Sequence, residues 1–381
     1  MRRIAVAVLL SALACQARPR ERWPMTEWTH ARAAQVGLDS SALAALDKDL
    51  ADGKYGFVDG MFVTRRGEVV LDRSYPHDYR AAYGSRVKTP GEYNYYDSDW
   101  HPFYKGSRLH TLQSVTKTVT SLIYGVAMQR GDLTSIDTTV LSFFDTTKVR
   151  NIDDRKRRMT VRNLLTMTAG FDWDESKTEY TDPRNNCAAM EQSQDWVQYV
   201  IDRPMASEPG TTWVYNSGAT ELLAHIFKQR TGQDLASYAE KYLFAPLGVG
   251  VYYWKRTPLG LPDTEGGLYL TPEDLAKLGL LMLRGGRWGT SQVVAASWVT
   301  QSIKPAIAAG ERAKYGLKWW LFPYGTEHDQ LAWVGNGYGG QRLIVLPREE
   351  IVAVFTGWNI DEHPPLPIPE MIDRLVASAK R

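Results

Sequence analysis

Two cysteines in 381 residues, Cys15 and Cys187, cannot build a disulfide framework, so the stability of this chain has to come from packing. Charge of one sign is equally scarce: the formal net charge is +2, and removing Arg2 and Arg3 with a leader leaves 43 residues of each sign. That balance makes no electrostatic case for nucleic acid or an anionic membrane surface as a partner. No stretch after the first 14 residues is apolar enough for a membrane-spanning helix. The seven histidines are dispersed, with no HExxH or paired spacing, which argues against a zinc site, and no metal or cofactor is expected. G-x-S-x-G elbows, P-loops, internal repeats and low-complexity tracts are all missing.

What is present begins with MRRIAVAVLLSALAC, a basic start, an apolar run of about ten residues and a small-residue site at Ala12-Leu13-Ala14. Residues 1–14 therefore read as a signal peptide, and Cys15 directly after it as a candidate lipid anchor, with plain cleavage after Ala14 as the alternative. The expectation is an exported protein, periplasmic or membrane-anchored by lipidation, with residues 15–30 as a tether.

Length and apolar content suit one large domain or two interleaved ones. SSALAALDKDLADG reads as a helix capped by Asp39 or Ser40, and DGMFVTRRGEVVLDRSY as a hairpin turning at Arg66-Gly67. Residues 75–110 read as a long loop rich in Tyr and Trp, and its part from Tyr79 to Tyr104, together with the polar loop from Asp174 to Ser193, is expected to wall a substrate cleft. From Ser114 to about residue 260 the pattern is helical, including TVRNLLTMTAG, SQDWVQYVIDR and ATELLAHIFKQRTG. Thr271-Pro272 opens a further helix, after which YGLKWWLF, QLAWVG, QRLIVLP and IVAVFTGW read as strands and PEMIDRLVASAK as a closing helix. This order predicts an α/β fold. Residues 31–113 and 262–381 would share a discontinuous α/β domain, residues 114–261 would form a mostly helical one, and ligand sites favour such an interface.

Ser-x-x-Lys occurs twice. Around Ser85 and Lys88 the chain is broken by Gly84 and Pro90-Gly91, so this copy reads as surface loop. Ser114 and Lys117 instead open a helix whose Val115, Val119, Leu122 and Val126 share one apolar face. There the serine meets the free N–H groups and positive dipole end of the helix, with the lysine on its own side. A plain helix cap beside a solvated lysine would have the same spelling. A serine nucleophile needs a base, and a buried lysine or a tyrosine beside a cation can serve. Tyr215, Asn216 and Ser217 lie on a short loop between a Pro-Gly turn and a helix, where polar side chains can face a cleft. Gly335-Asn336-Gly337-Tyr338-Gly339-Gly340 satisfies G-x-G-x-x-G, but a strand rather than a helix follows, which rejects a dinucleotide site. A glycine-rich strand edge can instead bring a backbone N–H to a substrate carbonyl.

Taken in order, Ser114-x-x-Lys117, Tyr215-x-Ser217 and the late glycine-rich strand resemble the serine β-lactamase and penicillin-binding superfamily. Within it they resemble the class-C-like esterase branch and the 6-aminohexanoate-dimer (nylon oligomer) hydrolases. LLTMTAGFDWDE, VYNSGATELLA, GGLYLTPEDLAKLG and NGYGGQRLIVLP are phrases of that subfamily, spanning roughly residues 55 to 360. The resemblance implies a β-lactamase-like fold, an antiparallel sheet flanked by helices plus a mostly helical domain. It also implies a serine hydrolase acting on a small ester or amide. In that scheme Ser114 forms an acyl-enzyme, Lys117 orients its hydroxyl, Tyr215 carries the proton, and Ser217 supports the network. The backbone N–H groups of Ser114 and Tyr338 form the oxyanion hole. One departure stands out: Gly335 occupies the place where lactamases and D-Ala-D-Ala peptidases carry a Lys or His. That disfavours a β-lactamase or DD-peptidase, the alternative activities on this fold along with a non-catalytic sensor, and favours neutral substrates. The nylon-oligomer hydrolases also use a late histidine, for which His363 is the nearest candidate.

Overall fold

The computed structural model describes residues 23–24, 27–180, 182–360 and 366–379, so the expected leader, Cys15 and His363 lie outside the described residues. A nine-stranded sheet organises the molecule. Its strands are β1 (Thr29–His30), β2 (Val58–Arg65), β3 (Glu68–Ser74), β4 (Ile307–Ala308), β5 (Lys314–Tyr315), β6 (Trp320–Tyr324), β7 (Gln330–Gly337), β8 (Gln341–Leu346) and β9 (Ile351–Gly357). They lie in the order β1-β3-β2-β9-β8-β7-β6-β5-β4, antiparallel except for the β1–β3 pair. The hairpin predicted at Arg66-Gly67 forms there, both residues taking positive φ (56° and 82°), as a two-residue turn between right-twisted strands requires. β9 then pairs with β2, Val352 opposite Thr64 and Ala353 opposite Val63, which welds the two ends of the chain into one sheet.

Side chains alternate across this sheet with period two. Ile344 and Leu346 of β8 pack with Leu43, Leu46 and Leu50 of helix α1 (Ser40–Ala51) and with Met371, Ile372 and Leu375 of the C-terminal helix Ile368–Ser378. Leu343 and Val345 face the other way, into a larger core with Leu275 and Leu278 of the helix Pro272–Leu283 and with helix α2 (Val115–Arg130). Burial on both faces is why QRLIVL and IVAVFTG read as continuous apolar runs. Beyond α2 lie the short helices of residues 140–201 and helix α3 (Gly218–Thr231), whose Leu222, Leu223, Ile226 and Phe227 are all buried, as their spacing predicts.

Three local expectations fail. The tether expected over residues 15–30 ends in β1: Thr29 and His30 pair with Glu68 and Val69, and Trp28 packs edge-on against Phe62. An open sheet edge offers unpaired backbone groups, and this segment covers them. YGLKWWLF is not one strand but two, because Gly316 to Trp319 forms a turn with Lys318 at φ 62°. Within the expected loop 75–110, Tyr79–Tyr83 forms a helix capped by Asp78, whose side chain accepts from Ala81 N at 2.9 Å.

Candidate active site

Ser114 is presented by strain. Gln113, the residue before it, holds φ 46°, a left-handed value that a non-glycine side chain resists, and the chain turns there from the strand His110–Thr111 into α2. Ser114 already has helical φ and ψ, and its hydroxyl makes no capping bond. It meets Lys117 instead, whose Nζ donates to Ser114 Oγ at 2.9 Å. The solvated lysine of the plain-cap alternative is excluded, since Lys117 is 1 % exposed.

The other two donors of Lys117 go to one residue: Nζ lies 2.7 Å from the main-chain oxygen of Glu265 and 3.0 Å from its Oε2. Tyr215 closes the group. Lys117 Nζ stands 5.2 Å from the centre of its ring, which stacks against Trp320, and Ser114 lies close enough to draw its phenol down. Burial alone would draw the Lys117 ammonium down, but negative charge at Tyr215, Glu265 and Glu175 outweighs it and holds the lysine well above its ordinary range. Burial also raises the Tyr215 phenol, and Lys117 opposes that rise. Tyr215 supplies that negative charge only when it ionises; with the phenol protonated, the Glu265 carboxylate 3.0 Å away holds Lys117 as an ammonium.

The Tyr215-Asn216-Ser217 loop divides its work. Asn216 Oδ1 accepts from Ala219 N at 2.8 Å and caps α3, while the Ser217 hydroxyl donates to Glu175 Oε1 and its N–H to Oε2, both at 2.8 Å. Ser217 therefore meets the site through Glu175. Glu175 further accepts from Trp173 Nε1 at 2.6 Å and from Tyr180 Oη at 3.3 Å, which ties the loop 173–180 to the same network.

On β7, Gly337 is demanded by a close approach: a Cβ there would stand 2.5 Å from the main-chain oxygen of Leu112, two residues before the serine. Gly335 is not an open subsite. A Cβ there would lie 3.0 Å from Val115 Cγ1 and 3.3 Å from Thr118 Oγ1, so α2 fills the space in which a lysine side chain would start. A lysine does stand nearby, from the β5–β6 turn. Thr118 Oγ1 donates to the Lys318 main-chain oxygen at 2.9 Å, Lys318 Nζ reaches Met167 Sδ at 3.3 Å, and burial with the charge of Lys117 holds its amine well below the usual range. Asn336, opposite Arg342 on β8, lines the cleft, while Arg342 donates to the main-chain oxygens of Gly337, Gln341 and Leu366.

These residues surround one cavity of about 810 Å³, lined by Ser114, Tyr215, Trp213, Trp320, the loop 173–180 and Asn336 to Gly339. The Ser114 and Tyr338 residues expected to supply oxyanion donors both border it. Of the two loops expected to wall the cleft, the one from Asp174 does so, but the aromatic loop from Tyr79 to Tyr104 does not. Its Tyr95 packs behind Tyr338 and Trp358, and the loop lines a neighbouring cavity with Tyr180 and Glu191, which also holds Ser85 and Lys88 of the second Ser-x-x-Lys copy. Sequence reasoning missed Glu175, Glu191, Glu221, Asp263 and Glu265 altogether. They are dispersed over 91 positions with no shared period, and only folding gathers them. Cys187, Glu191 and Glu265 bring metal-ligand atoms within 4.8 Å of one another, but Glu265 is already bound by Lys117, and burial keeps the Cys187 thiol protonated.

A 6-aminohexanoate-dimer hydrolase of Paenarthrobacter ureafaciens is 27 % identical over 222 residues, 51 % of this chain and 53 % of that protein. A lovastatin esterase of Penicillium rubens is 27 % identical over 196 residues, 46 % of each. The chain thus spans about half the length of the curated relatives it matches. The crystal structure of a family VIII carboxylesterase superposes with a TM-score of 0.65 at 15 % identity, covering 93 % of this chain and 98 % of that one, a likeness of fold. The family model described as Beta-lactamase matches residues 51–357, most of the chain, and the protein belongs to that β-lactamase family.

Proposed function

We propose that the protein is an exported serine hydrolase that cleaves a small ester or amide through an acyl-enzyme on Ser114. The observation that carries this reading is the buried hydrogen bond from Lys117 Nζ to Ser114 Oγ, 2.9 Å long, with the Tyr215 ring 5.2 Å from the same Nζ and bordering the same cavity. Ser114 Oγ attacks the substrate carbonyl carbon while its proton passes to the Tyr215 phenolate. The N–H groups of Ser114 and Tyr338 take the oxyanion, each worth about 100 to 1000-fold in rate. As the tetrahedral intermediate collapses, the carbon–oxygen or carbon–nitrogen bond breaks, and the leaving group departs with the proton from Tyr215. Water then repeats the sequence against the acyl-enzyme, Tyr215 again taking the proton, and the acid leaves. Lys117 orients the hydroxyl and holds the phenolate form by its charge, and Ser217 supports both through Glu175.

Preference for neutral substrates follows from Gly335, which supplies no carboxylate-binding cation and at which even a Cβ would press on Val115 and Thr118 of α2. The names of the relatives, an amide hydrolase and an esterase, support both leaving-group classes. The leader of residues 1–14 supports export, which the mass of the mature N-terminus tests. For the chemistry, a fluorophosphonate probe should label Ser114 in the wild type and nothing in Ser114→Ala. Short-chain nitrophenyl esters should turn over and a chromogenic cephalosporin slowly or not at all. An unlabelled Ser114 would overturn the reading; fast cephalosporin turnover would overturn the substrate preference alone.

A further inference from the structure

The lysine of this site is held from behind by a side chain that no motif includes. Glu265 takes two of the three donors of Lys117, one on its carboxylate and one on its main-chain oxygen, and leaves the third for Ser114. Glu265 is itself fixed. Glu221 of α3 accepts from Thr264 N at 2.5 Å, Thr264 Oγ1 at 2.9 Å and Glu265 N at 3.1 Å; Asp263 Oδ1 accepts from Glu265 N at 3.2 Å and Gly266 N at 2.9 Å. On its far side the Glu191 carboxyl stands within 4.8 Å of the Glu265 carboxylate, and burial, then the charge of Glu265, pushes it well above the usual range. A turn that spends five hydrogen bonds on presenting one buried carboxylate to a lysine is built for that contact.

We infer that Glu265 is the positioning residue of the acyl-transfer site: it fixes Lys117 as the hydrogen-bond donor to Ser114 Oγ and thereby leaves Tyr215 as the proton acceptor. The inference rests on the proposed serine hydrolase. The distances alone are compatible with the opposite assignment, in which a neutral Lys117 amine donates twice to Glu265 and accepts the serine proton on its lone pair. The ion pair decides between them: Nζ lies 3.0 Å from a carboxylate buried with it, and a neutral amine there would leave that charge uncompensated. Lys117 also faces Tyr215, Glu175, Cys187, Asp263, Tyr315 and Lys318. Glu265 faces Lys117, Glu191, Asp263, Glu221, Lys255, Tyr95 and Tyr180. Lys117 is the cation that touches it, and it holds Glu265 ionised despite burial.

The two assignments predict opposite signs for one substitution. With Glu265→Gln the buried ammonium loses its counter-charge and gives up its proton at lower pH. If Lys117 is the donor, kcat on a nitrophenyl ester falls at least tenfold with KM little changed, and a falling alkaline limb absent from the wild type enters the pH–kcat profile below pH 10. If Lys117 is the base, Glu265→Gln is as fast as the wild type or faster near pH 7, and the inference is overturned. Glu265→Asp keeps the charge one methylene short. It should recover part of kcat and move the alkaline limb in the same direction by less, and if Glu265→Gln does not fold, an unmoved limb in Glu265→Asp overturns the inference by itself. Fluorophosphonate labelling of wild-type Ser114 separates this result from failure of the hydrolase reading, which would leave the serine unlabelled.

Discussion

A serine hydroxyl is a poor nucleophile until something removes its proton, so the behaviour of Tyr215 should govern the rate. Burial is the larger influence on its phenol and raises it; the neighbouring Lys117 charge opposes that rise without cancelling it. The reactive phenolate is therefore scarce at neutral pH and grows with pH. The expected outcome is a kcat/KM for a nitrophenyl ester that climbs from pH 6 through pH 9, measured at constant ionic strength. Tyr215→Phe keeps the ring against Trp320 but removes the acceptor, and should lower kcat/KM by about 100 to 10,000-fold and flatten that climb. Thermal melting of the variant should match the wild type, because the hydroxyl serves the serine rather than the core.

At the scale of elements, the site exists because the strand end near Gly337 can slide against the segment that delivers Ser114. A methyl group at 337 would stand 2.5 Å from the Leu112 carbonyl oxygen, so Gly337→Ala must push β7 and the start of α2 apart. Overpacking of this kind costs about 1 to 3 kcal/mol. Displacement of about 1 Å at a reacting centre lowers rates about 100-fold. The variant should therefore melt several degrees lower and lose far more activity than that destabilisation explains. This also shows which parts of the fold were legible in the sequence. Ser114 and Lys117 sit on one helix, Tyr215 and Ser217 on one loop, and Arg66-Gly67 in one turn, so spacing and turn chemistry carry them. The sheet strands announce themselves as apolar runs because both of their faces are buried. By contrast, Glu265 reaches Lys117 across 148 positions, and nothing local marks it. The break in YGLKWWLF was hidden for a similar reason: the turn at Gly316–Trp319 is held by Lys318 N on the Leu165 main-chain oxygen, a contact from another segment. The aromatic loop misled because tyrosines suit a cleft wall and a packed layer equally, and here Tyr79, Tyr83 and Tyr95 pack with Trp358 and Ile360.

Across the whole molecule, the cluster of Ser114, Lys117 and Tyr215 lies where the sheet and the helical block meet, and that seam is charged rather than purely apolar. Glu221 and Asp263 both brace the turn that carries Glu265, and Lys255 shares their field. Burying such groups is expensive unless they pair or stay neutral. Asp263 takes the second course: burial first, then the charge of Glu265, pushes its carboxyl up to about 7, against a partial opposing pull from Lys255. A carboxyl whose folded value is raised binds its proton more tightly folded than unfolded, so its contribution to stability is largest below the ordinary carboxylate range and is lost as pH rises towards about 7. The slope is at most about 1.4 kcal/mol per pH unit for one group. Asp263→Asn imitates the protonated form, and its Oδ1 can still accept from Glu265 N and Gly266 N. Denaturant melts between pH 5 and 8 should show the wild type losing stability relative to Asp263→Asn as pH increases, the gap widening up to about pH 7 and levelling off above it. A constant offset across that range would place the Asp263 proton elsewhere and remove the neutral carboxyl from the seam.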